Sequence, residues 1–150
     1  VLGMAISMAM SVFAAGIPAF IASMGGENLV ADFMREGISG GKFVVALSIS
    51  VMMNTFFAPV FMTFHKITDA HIAEHGGSLK ALVTPIPMRR HIVELNWDRQ
   101  WNFIFKKTIP LFWYPAHTIT FMLPSEMRVL FAALLGVALG VILAIGAKKQ

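Results

Sequence analysis

Four polar side chains stand in apolar surroundings where hydrophobicity alone would not put them: Asn54, His117, Thr120 and Arg128. Polar groups inside a membrane segment are costly, so they pair with one another or mark a solute path. His117 sits between Pro115 and Pro124, with Trp113, Ala116, Thr120 and Phe121 adjacent or one helical turn away. Its ring is expected to hydrogen-bond either across to another helix or to the backbone that Pro110 and Pro115 set free. Asn54, the only amide inside another expected span, is the expected partner in the first case. Asn54 reads first as an inter-helix hydrogen bond, with a substrate contact as the alternative. Asn54, His117 and Thr120 form the buried polar set, and Arg128 belongs at its rim.

A second group contains two i,i+4 pairs, His65 with Asp69 and His71 with His75, and its imidazoles and carboxylate are ligand types suited to first-row metals. The pairs begin six residues apart and point to different faces of one helix. No H-E-x-x-H signature is present, and a helix end emerging into water explains the same residues. No metal and no cofactor is therefore assigned. With no cysteine, disulfides, zinc-thiolate sites and thiol catalysis are excluded. No nucleophile–base pair appears either, so no catalytic residue is assigned and no enzyme is expected.

These residues must be positioned by a chain that is 57% hydrophobic and 13% charged over 150 residues. Soluble domains run at about 45–50% apolar and about 25% charged, and a chain this short cannot hide the excess in a larger core. The composition predicts an all-α integral membrane bundle of four transmembrane helices. The spans are expected at about 3–24, 42–64, 103–123 and 127–147, in a single membrane domain with a polar segment over 65–101. The first run starts at once without a basic n-region, and it reads as a retained helix.

Small residues mark the faces expected to pack. Ser7, Ser11, Ala15, Ala19 and Ser23 recur every fourth residue in the first span, and Ala46, Ser50, Asn54 and Ala58 do so in the second. Ala132, Gly136, Gly140 and Ala144 give the last span a face centred on G-x-x-x-G. Residues 25–41 form a loop that carries a short helix at the membrane surface. Pro85 and Pro87 demand an extended piece, and Trp97 and Trp101 flank the return to the bilayer. The third span is irregular: Lys106 and Lys107 lie in its first turns and snorkel, with a broken or partly re-entrant helix as the alternative.

Seven lysines and arginines in the 65–101 segment and at the C-terminus, joined by Lys106 and Lys107, outnumber Arg35, Lys42 and Arg128 on the other side. Both termini are therefore expected to be cytoplasmic, in a prokaryotic inner membrane. The same bias accounts for the net charge of +4 without nucleic acid. The expected partners are the lipid bilayer and either further copies of the chain or other membrane proteins.

The C-terminal half resembles the Mpv-seventeen/PMP-twenty-two family of small integral membrane proteins. Trp113, Phe121, Pro124 and Arg128 match its anchors, and Ala58-Pro59 with Asp69 are similar to its glycine-proline and aspartate. The sequence departs from the pattern where His117 replaces a glutamine and Thr120 an asparagine. The proline follows Trp113 by two positions, and one residue is missing between Phe121 and Pro124. The resemblance covers the second half well, 42–75 partly and the first helix hardly. It implies four helices and a pore-like or membrane-homeostasis role, with no established enzyme activity.

Overall fold

The computed structural model describes residues 2–124, 126–128, 130–131, 134–138 and 141. Among them the chain is all-helical, with no strand. Two helices are long and apolar enough to cross a membrane: α1, Leu2–Ser23, through its stretch Met4–Ser23, and α3, Gly40–Glu74.

Between them, Gly25 at φ +89° turns the chain into α2, Glu27–Met34, which opens on an acidic residue at the positive end of its dipole. The short helix expected in this loop is therefore present. Its C-terminus is tied down by Lys42, a buried lysine whose Nζ donates to the Arg35 carbonyl at 3.0 Å. The amine thus meets an otherwise unpaired carbonyl at a helix end, where positive charge is favoured. A glycine is needed at Gly41, because a Cβ there would lie 2.6 Å from Asp32 Oδ2 and 2.7 Å from Asp32 Cβ.

Ser39 begins α3 as its N-cap, accepting from the Lys42 amide at 3.0 Å. The helix ends at Gly76 and Gly77, both at positive φ, with the Gly77 amide donating to the Ile72 carbonyl. At about 1.5 Å per residue its 35 residues run roughly 52 Å, well past the roughly 30 Å of a hydrocarbon core. Residues 65–74 therefore continue the same rod.

Three short helices follow: α4 (Lys80–Val83), α5 (Met88–Glu94) and α6 (Trp97–Arg99). The extended piece expected at the two prolines is present, with no helix over residues 84–87. Over the third expected span, 103–123, the chain is not a single α-helix, and no helix there is among the two long and apolar enough to cross a membrane. Residues Gln100–Trp113 form a π-helix that runs directly into α7, Tyr114–Met122. Pro110 has no N–H for the carbonyl four residues back. The wider register appears in the Tyr114 amide, which donates to Ile109 five residues back. Lys106 and Lys107 are exposed, and Lys106 lies 5.9 Å from the centre of the Trp101 ring.

The core is centred on Val45, Ala46, Ile49 and Met53 of α3 and Phe121 of α7, with Met10, Phe13, Ile17 and Ile21 of α1 closing one side. The two small-residue faces behave oppositely. Ala46, Ser50, Asn54 and Ala58 are all buried and allow α7 to lie close. Ser7, Ser11, Ala15, Ala19 and Ser23 are all exposed, against the expectation that this face packs. The bulkier face of α1 fills the groove on α3 better, and the outward serines Ser11 and Ser23 bond their own helix carbonyls instead. Of the last expected span, Ala132, Gly140 and Ala144 lie outside the described residues. At Gly136, which lines a cavity, a Cβ would meet nothing within 4 Å.

Candidate functional site

The buried face of α3 and the start of α7 bring the expected polar residues together. Asn54 is 2% exposed and meets His117 through both amide atoms, Nδ2 at 2.9 Å and Oδ1 at 3.0 Å from the ring Nδ1. Either tautomer is served by this geometry. An unprotonated Nδ1 accepts from the amide N–H, and a protonated one donates to the amide oxygen. Asn54 Nδ2 also donates to the Ser50 carbonyl at 2.8 Å, one turn back on its own helix.

Ser50 ties the same pair of helices a second time, its Oγ donating to the Tyr114 carbonyl at 2.8 Å. Thr118 Oγ1 donates to that same carbonyl at 2.6 Å. At the outer edge the Thr55 and Tyr114 hydroxyls meet at 2.7 Å. These are side chains one turn apart on α3 facing side chains one turn apart on α7.

Trp113 stacks on the His117 ring, with centroids 5.1 Å apart and planes inclined by 25°. Its Nε1 is buried and finds no partner among the described residues. A cavity of about 210 Å³ opens beside the pair. Its walls are apolar, from Met10, Phe57 and Phe61, while Asn54, His117 and Thr120 supply the polar part. An apolar cavity with a few convergent polar groups is the arrangement a small hydrogen-bonding guest would complete.

The remaining expected residues are placed as follows. Thr120 is fully buried but donates to the Ala116 carbonyl of its own helix at 2.9 Å. Arg128 closes the C-terminus of α7, donating through Nε to the Leu123 carbonyl at 3.0 Å and through Nη2 to Phe121 at 3.4 Å. It thus touches carbonyls that α7 leaves free, rather than the cavity lining. Phe121 is in the core, Pro124 follows the helix end, and Pro59 lies within α3. Asp69 is exposed and 3.4 Å from His65, while His71 and His75 touch each other with rings 4.4 Å apart. The two i,i+4 pairs thus stay separate.

The reading from spacing missed Trp113 as an unpaired donor, and it missed Tyr114, whose hydroxyl and carbonyl both serve α3. An amphipathic aromatic at a helix start was the available signal for both. Comparison with family models, curated proteins and solved structures returned no match.

Proposed function

We propose that the chain is a four-span integral membrane protein that passes small solutes through a polar point in its bundle. It would sit in a prokaryotic inner membrane with both termini cytoplasmic. The family resemblance points the same way. The observation that carries the reading is the cavity beside Asn54 and His117. Its volume of about 210 Å³ is below the roughly 300–1,000 Å³ of sites for drug-sized ligands, which favours a guest of few atoms. The bare apolar perimeter also supports a lipid environment. Met4, Met8 and Val12 on α1, and Phe56 and Val60 on α3, are each more than 60% exposed. In water such a belt would be an aggregation site.

A structural or partner-docking membrane protein is the second reading. It is favoured by the small-residue face of α1, which stands open from Ser7 to Ser23. Flux of sized solutes from liposomes holding the purified protein separates the two. The pore reading expects flux that falls off with solute size, survives His117→Gln and is lost in a folded His117→Leu protein. No flux at any size, or normal flux through His117→Leu, rejects it.

A further inference from the structure

At the far end of α3 a different cluster forms. His71 and Glu74 project from its last turn, and His91 meets them from α5, with one ligand atom of each within 4.8 Å of the others. Both histidines are only 2% exposed. His71 Nδ1 and His91 Nε2 are buried without a hydrogen-bond partner among the described residues.

The tautomer of His71 follows from its surroundings. Its Nε2 lies 3.2 Å from the Ala81 carbonyl, which can only accept, so Nε2 carries the proton and Nδ1 presents its lone pair. A backbone carbonyl holding the far nitrogen of an imidazole is the usual support of a metal-bound histidine. Arg90 donates to Glu74 Oε2 and holds the carboxylate in place, and His91 Nε2 is 3.7 Å from that oxygen. A carboxylate has about four lone-pair sites, so it accepts a guanidinium and a cation together.

Two orphaned, deeply buried imidazole nitrogens beside a carboxylate are costly to leave empty. We propose that His71, Glu74 and His91 bind a divalent first-row transition metal of the zinc type, which clips the segment carrying α4 and α5 to the end of α3. Two imidazoles and one carboxylate form a ligand set that zinc takes with a fourth position left to water. Ligand atoms about 2.0–2.1 Å from a tetrahedral ion are about 3.3 Å apart, so the widest gap must close by roughly 1.5 Å. Glu74 Oε2 and His91 Nε2, 3.7 Å apart, already lie within about 0.4 Å of that spacing, so the closure falls on the distances from His71. The expectation from spacing missed this set because it paired residues within one helix, and the third ligand lies 17 residues beyond Glu74.

The test uses the full chain in detergent, stripped with a chelator and returned to chelator-free buffer. Titration with Co²⁺ should develop the visible absorption of a four-coordinate site, saturating at one equivalent and bleached by Zn²⁺. Calorimetry with Zn²⁺ alone should give the same stoichiometry. His91→Gln and Glu74→Gln should each weaken Zn²⁺ at least about tenfold, since even losing an outer partner of a ligand costs that much. His65→Gln, in the exposed pair with Asp69, should leave binding unchanged. Glu74→Gln keeps the test decisive if the buried His91 variant fails to fold. The proposal is overturned by the absence of a saturable one-equivalent site, by wild-type affinity in Glu74→Gln, or by loss of binding in His65→Gln alone. The solute-passing reading does not enter this measurement, so either can fail without the other.

Discussion

Asn54→Ala offers the sharpest test of the α3–α7 junction. The substitution removes the amide that faces His117 Nδ1 and also the bond to the Ser50 carbonyl. An inter-helix hydrogen bond in a membrane protein contributes about 0.6 kcal/mol on average and at most about 1.7. Leaving the imidazole nitrogen of half-buried His117 without a partner adds about 1–3 kcal/mol. Together they predict a loss of about 2 kcal/mol. In a chain of this length that is roughly 4–8 °C in Tm, read by thermal unfolding in a fixed detergent. The informative quantity is the coupling. His117→Ala and the double variant complete a cycle, and residues in direct contact couple by about 0.5–3 kcal/mol. We expect about 1 kcal/mol, with the double variant less destabilised than the sum of the singles. Additivity within about 0.3 kcal/mol would mean that the two side chains meet without holding the helices together, and the reasoning from geometry would fail.

Other outcomes follow from single contacts. Ser39→Ala removes the N-cap of α3 and should cost about 1 kcal/mol, while Ser39→Asp should restore it, both read as shifts in Tm. Gly41→Ala sets a methyl against Asp32 and should cost about 1–3 kcal/mol, relieved in part by Asp32→Ala. Reporter fusions at Gly76 and Gln150 should read cytoplasmic and one at Gly37 external, and a cytoplasmic Gly37 would overturn the four-span reading.

The Asn54–His117 contact was legible in the sequence because few polar groups were available inside the expected spans. An amide and an imidazole in apolar helices have little else to bond, so scarcity chose the pair. The face Ala46–Ser50–Asn54–Ala58 was legible for a related reason: four-residue spacing on a helix has one spatial meaning. The α1 stripe shows where that logic stops. Spacing tells which residues share a face but not which face wins the groove, and Met10, Phe13, Ile17 and Ile21 outcompeted the small residues by filling more space. The π-helix over Gln100–Trp113 was beyond reach, since Pro110 announces only that an α-helical bond must break. His91 was missed because its closeness to His71 depends on the path through Gly76, Gly77, Pro85 and Pro87, which no periodicity encodes.

The length of α3 has a mechanical consequence. The helix is one rod carrying the Asn54 junction near its middle and His71 with Glu74 at its end, and Pro59 stands between the two. Pro59 has no N–H to complete the ladder, so bending is cheapest there. From Pro59 to Glu74 is 15 residues, a lever arm of roughly 22 Å. A swing of about 4° at the proline therefore moves Glu74 by about 1.5 Å and carries His71, on the same turn, with it. Seen from the other end, any load that draws Glu74 toward His91 becomes a torque on the turn just past Asn54. A stiff beam with one soft joint would let the polar end and the cavity feel each other across half the molecule.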